Sequence, residues 1–388
     1  MKIFLIAGEP SGDLLGSRLM QALKMQEPAV TFTGVGGPRM TGEGLSSLFP
    51  MSDLTLFGLA ELFPKIPLIL RRIRETAEAI RQQKPDIVVT IDAPDFCFRV
   101  AKKLVGSGIP FVHYVAPTVW AWRPGRARKI QPLFSHLLAL FPFEPPYFER
   151  VGLPCSFVGH PLVEAGIEAA SADRFRAKYG IPSDQKVLVV LPGSRGSELK
   201  ALLPVFGDVV YRVKQAYPDM RVIIPVVAHL YERIRTETAS WPIKPLLVTG
   251  DEDKYDAFAV ARAALAASGT VALELGLAGT PSVIAYRIHA VTAALYRRLI
   301  KVKFANLVNI MADKMVVPEF IQENCTAEKI FSALDKLIMS DDVRNAQIGE
   351  LCAVRPWLSP AGTIAPAQQA AQVVLQVARS RNPALPAG

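Results

Sequence analysis

KIFLIAGEPSGDLLGSRLMQALK, residues 2–24, is the stretch that decides the fold. Residues 2–7 are apolar almost without a break, which suits a strand buried on both faces. The turn Gly8-Glu9-Pro10-Ser11-Gly12-Asp13 follows, and from about residue 13 to 24 leucines and methionines recur at helical spacing. Strand, turn and helix in that order form half of a βαβ unit. Working outward, strand-like runs recur at residues 31–35, 86–91, 111–115 and 156–158, with helical stretches at 69–83 and 98–105 between them. After a polar, Ala-rich stretch at 164–185 the pattern restarts. Runs at 186–191, 221–226, 245–248, 263–267 and 281–285 again alternate with helices. The reading is an α/β chain of two Rossmann-like, doubly wound domains, residues 1–165 and 166–360. A last Ala/Gln/Val-rich helix is expected at about 361–380.

The bulk numbers agree with two cores. The chain has 388 residues, half of them hydrophobic, and a formal net charge of +9. That charge asks for an acidic partner, and the bases sit among apolar residues instead of in long Lys/Arg runs. Anionic lipid or a phosphorylated substrate fits this better than nucleic acid. Cys97, Cys155, Cys325 and Cys352 show no CxxC spacing, so neither zinc nor a disulfide framework is expected. Glycines and an acid interrupt the N-terminal apolar run too early for a signal peptide, and no spanning segment is present. The expectation is a cytosolic protein with at most peripheral membrane contact.

In open α/β sheets ligands bind beyond the carboxyl ends of the strands, so four loops matter. Gly8, Ser11 and Gly12 lie in the first, where a tight turn meets a helix N-terminus; an ordinary turn capped by Ser11 or Asp13 is the plain alternative. Gly34-Val35-Gly36-Gly37 is a similar, weaker signal. In Ile91-Asp92-Ala93-Pro94-Asp95, Asp95 reads as a helix cap and Asp92, nearer the strand, as a general base. Gly193, Ser194 and Arg195 offer a pyrophosphate clamp at a helix start. Ser268, Gly269 and Thr270 end a strand, and Glu274 one turn on can accept ribose hydroxyls or simply complement the helix dipole. Asp251-Glu252-Asp253 reads as a charged helix start, so no metal is expected. His113 and His160 each follow a strand and are ambiguous between ligand contact and structure.

Charge placement adds a second line. No acid lies between Asp95 and Glu144, yet seven bases do; none lies between Glu274 and Asp313, with five. The first acid-free stretch also holds Trp120 and Trp122, amphipathic aromatics that suit an interface. Phe57, Leu62, Phe63, Ile66, Leu68 and Ile69 make an apolar stretch followed by Arg71 and Arg72. Pro64 and Pro67 are expected to prevent one continuous core helix there, which favours insertion into an anionic leaflet or a site for acyl chains.

AGEPSGDLLGS, GVGGPRM, IDAPDF, HYVAPTVWAWRPGRARKI, FPFEPPYFERVGLPCSFVGHPL, LPGSRGSELKALLP and ASGTVALELGLAGTP occur in this order between residues 2 and about 325. Together they resemble the lipid-A-disaccharide synthases. The resemblance implies a GT-B fold with the active site in the interdomain cleft and the last helix packing back toward the first domain. It implies inverting transfer from UDP-2,3-diacylglucosamine to 2,3-diacylglucosamine 1-phosphate (lipid X), giving the β-1,6 lipid A disaccharide 1-phosphate and UDP, in lipopolysaccharide synthesis of Gram-negative bacteria. No cofactor is implied. Asp92 matches the catalytic base, Arg195 the residue at the donor diphosphate, Glu274 the ribose acceptor and Asn309 a functional asparagine. Before Asn309 stands Val308, where the family commonly has proline. The implied setting is the inner face of the inner membrane, peripheral to anionic lipids, with a homodimer left open. Alternatives are another GT-B UDP-N-acetylglucosamine transferase or epimerase, or a non-catalytic UDP- or lipid-binding protein.

Overall fold

The computed structural model describes residues 1–54, 59–120, 125–287, 303–360 and 364–381. The chain divides into two compact units, residues 1–161 with 358–388, and residues 162–357.

In the first unit seven strands form one parallel sheet. They are β1 (Lys2–Ala7), β2 (Thr31–Val35), β3 (Ser46–Ser47), β4 (Ile87–Ile91), β5 (Phe111–Tyr114), β6 (His136–Ala139) and β7 (Cys155–Phe157), in the order β3-β2-β1-β4-β5-β6-β7. Strand side chains alternate between faces, and so do the cores. Ile3, Leu5, Ala7, Ile87, Val89 and Ile91 pack with Leu15, Leu19 and Leu23 of helix Pro10–Gln26 on one face. Phe4, Ile6 and Val88 pack with Phe96, Cys97 and Val100 of helix Pro94–Lys102 on the other. The C-terminal helix Pro366–Arg381 belongs to the first of these layers. Its Ala367, Ala370, Ala371, Val374 and Ala378 are buried there, small residues that let it lie close against helix Pro10–Gln26.

The second unit repeats the plan with six parallel strands: β8 (Val187–Leu191), β9 (Arg221–Val226), β10 (Leu246–Thr249), β11 (Ala263–Ala267), β12 (Ser282–Tyr286) and β13 (Glu319–Ile321). Their order is β10-β9-β8-β11-β12-β13. Leu188, Val190, Val222, Ile224 and Leu265 pack under helix Gly196–Ala216 through Leu199, Leu202, Phe206 and Val210. Both sheets have the 3-2-1-4-5-6 strand order of the Rossmann fold, so each has its switch point between its first and fourth strands.

One expectation about local structure is overturned. The helix Leu59–Gln83 runs continuously through Pro64 and Pro67. A proline forfeits the bond its own N–H would make and bends a helix, but it need not end one whose later turns are anchored. Ile73, Ala77 and Ile80 supply that anchor in the core of the first unit.

Candidate active site

At the switch point of the first unit, the chain leaves β1 and β4 toward opposite faces and opens a crevice between them. Asp92 stands at the end of β4. Its N–H still continues the ladder, donating to Tyr114 O at 2.9 Å. The backbone then turns left-handed at two successive non-glycine residues, Asp92 (φ 50°) and Ala93 (φ 43°), before helix Pro94–Lys102 starts with proline in its first turn. Such conformations cost about 1–3 kcal/mol each and persist where the surroundings enforce them. The first turn is what faces them. A Cβ on Gly8 would lie 2.8 Å from Ala93 Cβ, so the two turns meet there only over a glycine, and one on Gly12 would sit tightly, 3.3 Å from Ile91 O. Ser11 donates its hydroxyl to Asp92 Oδ2 at 3.5 Å. Burial raises the Asp92 carboxyl above its ordinary value, opposed by the Ala93 N–H and the Ser11 hydroxyl. No cation pairs with it among the described residues. A carboxylate held this way is a better base than a solvated one.

Asp13, read from sequence as a possible cap of its own turn, does something else. Its buried carboxylate accepts from the N–H groups of Gly37 (2.9 Å), Arg39 (3.0 Å) and Met40 (3.0 Å). It therefore caps the next helix, Pro38–Gly42, and ties GVGGPRM to the first turn. Asp95 does not cap either: Ala93 is the N-cap residue, and Asp95 lies exposed in the first turn of its helix.

The crevice of the second unit holds paired charges. Arg195 is the N-cap of helix Gly196–Ala216, with its side chain 78% exposed. Glu198 closes the loop around it. Oε2 accepts from Ser194 N (3.1 Å) and Arg195 N (3.2 Å), and Oε1 pairs with Arg195 Nη1 at 2.9 Å. Gly193 sits at φ 106°, and a Cβ there would strike Glu198 Oε2 at 2.5 Å. At the end of β11, Gly269 and Thr270 are exposed, while the Ser268 hydroxyl donates to Ala305 O at 3.2 Å. Glu274 is one turn into the helix that follows and pairs through Oε1 with Lys254 Nζ at 3.2 Å. Burial raises its carboxyl, and Lys254 opposes that.

The comparisons with known proteins bear on these two crevices together. The family model described as lipid-A-disaccharide synthetase matches residues 3–353. The lipid-A-disaccharide synthase of Rhodospirillum centenum is 56% identical over 382 residues, covering 98% of this chain and 95% of that one. That of Gluconobacter oxydans is 45% identical, covering 97% and 90%. The chain belongs to the lipid-A-disaccharide synthase family. It is accordingly a glycosyltransferase. Among solved structures it resembles the UDP-GlcNAc 2-epimerase of Neisseria meningitidis (TM-score 0.63, 12% identity, covering 97% and 99% of the two chains). It also resembles a glycosyltransferase of Rickettsia africae (TM-score 0.59, 11% identity, covering 98% of each). At that identity the likeness carries the GT-B fold alone.

Other family positions fall differently from their sequence reading. Asn309 is fully buried and its amide is committed within its own loop. Nδ2 donates to Val317 O at 2.7 Å, and Oδ1 accepts from Val316 N and Val317 N, each at 2.9 Å. What it visibly does is fix the backbone. Arg72 is withdrawn from the lipid-facing set: it is 17% exposed, pairs with Asp53 at 2.7 Å and Glu75 at 2.6 Å, and lies over the Phe49 ring. Ile66 and Leu70 are each 40% exposed. Leu68 is half-buried, Ile69 packs against the core, and Arg71 makes no ion pair among the described residues. Phe57, Trp122, Arg123, Arg297, Arg298 and Lys301 lie outside the described residues, as do the side chains of Leu62 and Phe63.

His113 is buried, its Nδ1 2.7 Å from Thr90 Oγ1, and burial drives its pKa down to about 3; it is part of the core. His160 is likewise buried, with its pKa pushed down to about 4. Sequence reasoning missed Glu144. Its carboxylate accepts from Leu140 N, Phe141 N and the Trp120 indole, and burial pushes it up to about 7. The only hint was an acid flanked by aromatics at the end of an acid-free stretch.

Proposed function

We propose that Asp92 is the general base on the acceptor 6-hydroxyl and that Arg195 stabilises the departing UDP, in the transfer that makes the β-1,6 lipid A disaccharide 1-phosphate. The donor is UDP-2,3-diacylglucosamine and the acceptor 2,3-diacylglucosamine 1-phosphate. The observation that carries this reading is the pair of charged groups, one at the switch point of each unit. The first unit presents a partly buried carboxylate, without a cation partner among the described residues, on an enforced backbone. The other presents an exposed guanidinium, paired with Glu198, at the start of a 21-residue helix whose dipole adds to it. Inversion needs one base and a stabilised leaving group, and these residues supply both. Ser194, Gly193, Gly269 and Thr270 line the donor side, with Glu274 on the ribose; Gly8, Ser11 and Gly12 keep Asp92 in place. Asn309 serves indirectly, by holding its loop.

The lipid half of the reading rests on a cavity of about 350 Å³ beside the base. Leu54, Ile66, Ile69, Leu70 and Phe96 line it, with Glu9, Asp95 and Arg99 among its polar residues. An acyl chain suits such walls. Exposed Ile66 and Leu70 beside Arg71 and Arg74 suit the interface of an anionic leaflet, giving peripheral attachment at the inner membrane. No helix among the described residues is long and apolar enough to cross a membrane.

The test is direct. Purified protein with both lipid substrates in detergent releases UDP and forms the disaccharide without added divalent metal, read by mass spectrometry. No disaccharide under any detergent condition overturns the reading. Co-sedimentation with anionic vesicles tests the membrane half, and Ile66→Glu with Leu70→Glu is expected to abolish it.

A further inference from the structure

Lys254 lies in the first turn of helix Asp251–Val260, which follows β10. Its ammonium is 3.2 Å from Glu274 Oε1 and 3.1 Å from Asp251 Oδ1, and sits over the Tyr255 ring at 4.5 Å. The two pairs are unequal. The side chains of Lys254 and Glu274 are 21% and 14% exposed, whereas Asp251 is 82% exposed. A poorly solvated ion pair is weak evidence for stability, because desolvation offsets most of its attraction. This one also engages only half of its carboxylate. Glu274 Oε2 makes no hydrogen bond among the described residues.

We propose that Lys254 is a positioning residue for the donor: it grips Oε1 of Glu274 so that Oε2 is presented, ionised and fixed, to the vicinal hydroxyls of the donor ribose. The proposal rests on the reading of Glu274 as ribose acceptor. A hydroxyl donates best to an ionised carboxylate, and such bonds are about twice as strong as neutral ones. Burial alone works against ionisation here, and the nearby Asp251 charge adds to it; Lys254 is the group that opposes both. The Tyr255 phenol, next along the same helix, is itself held above its usual range and brings no positive charge. Oriented from one side by a cation, the carboxylate also loses rotational freedom before the ligand arrives, which lowers the cost of binding.

The experiment measures dissociation constants of UDP and 2′-deoxy-UDP by calorimetry between pH 5.5 and 8. It uses the full chain, Lys254→Met, Lys254→Arg, Lys254→Gln and Glu274→Gln, each checked by thermal melting. The unmodified protein is expected to prefer UDP about 10-fold or more, the scale of a hydrogen bond to a charged group. Glu274→Gln removes that preference. Lys254→Met reduces it to about 3-fold and makes UDP binding weaken as pH falls toward 6, because the carboxyl then protonates at higher pH; binding of 2′-deoxy-UDP stays flat. Lys254→Arg keeps the preference. Lys254→Gln, which can donate to Oε1 without a charge, keeps it at pH 8 and loses it by pH 6. With donor saturating, kcat changes less than about 3-fold in the Lys254 variants, and the loss appears in donor KM. Should Glu274→Gln leave the preference intact, the ribose reading falls and Lys254 with it. Should Glu274→Gln remove it while folded Lys254→Met and Lys254→Gln bind as the unmodified protein at every pH, Lys254 has no positioning role.

Discussion

The crevice between β1 and β4 and the crevice between β8 and β11 share one topology and partner their charges differently. In the first, a carboxylate sits on a left-handed turn against which Gly8 packs, meets a hydroxyl, and has no cation partner among the described residues. In the second, each functional charge is paired. Arg195 is tethered by Glu198, and Glu274 by Lys254. The contrast teaches that the switch point supplies position alone. The chemistry follows from whether a charge there is partnered. Burial raises both carboxyls; at Asp92 only the Ala93 N–H and the Ser11 hydroxyl oppose it, whereas at Glu274 the Lys254 charge does.

The largest way to break the comparison is Asp92→Asn. It keeps size and hydrogen bonding but cannot take a proton, so kcat is expected to drop about 10³-fold or more with melting temperature unchanged. Near-normal turnover would remove the base from the first crevice. Arg195→Ala is expected to lower kcat by about 10²-fold and to leave acceptor KM alone, as loss of one stabiliser of a departing charge does. An effect on acceptor KM alone would reassign it. Gly8→Ala forces a methyl to within 2.8 Å of Ala93 Cβ, so the two turns must part. An intermediate loss, about 10-fold in kcat, should accompany that shift.

Smaller still is Ser11→Ala. The Ser11 hydroxyl holds the Asp92 carboxyl down against burial, so removing it raises that pKa. The base works only when ionised, hence the acidic limb of the kcat profile moves to higher pH, while the rate on the plateau changes little. An unmoved limb would detach Ser11 from Asp92. The smallest effect concerns stability at Glu144. Its folded value, about 7, lies above the ordinary 4.5, so the folded state binds more protons between those limits. Stability contributed by that extra proton is present below about pH 4.5 and lost as pH rises toward 7. Glu144→Gln should therefore show a flatter melting temperature from pH 5 to 7.5 than the unmodified chain, measured by calorimetry. Equal slopes would place the carboxyl in water.

Much of this was legible in the chain itself. Runs such as residues 3–7 and 263–267 announce buried parallel strands because no polar residue breaks them, and a glycine-containing turn after each marks a crevice. β3, β6 and β13 were not legible. They are two to four residues long, too short for periodicity to show, and unlike the equally short β7, which runs into Gly159 and Pro161, they were not picked out by the residues that follow them. Helix Leu59–Gln83 was misjudged for another reason: proline propensity is local, whereas the anchor that carries the helix past Pro64 and Pro67 is tertiary.

Within the site, residue type settled which side chains could act. Asp92, Arg195 and Glu274 each follow a strand and can each carry a charge. Their partners differ: Arg195 meets Glu198 three residues on, whereas the other two are met from further along the chain. Ser11 reaches Asp92 across 81 positions, and Lys254 reaches Glu274 across 20. Asp13 and Asn309 look equally functional in one dimension, yet in the folded chain their polar atoms are consumed by backbone groups 24 to 27 and 7 to 8 residues away. Hydrophobic pattern is written in neighbouring residues, so the sequence by itself determined the two sheets and the four loops. Solvation and charge pairing are properties of what packs against a group, so only the tertiary structure decided that Glu274 meets a lysine while Asp92 has no cation partner among the described residues.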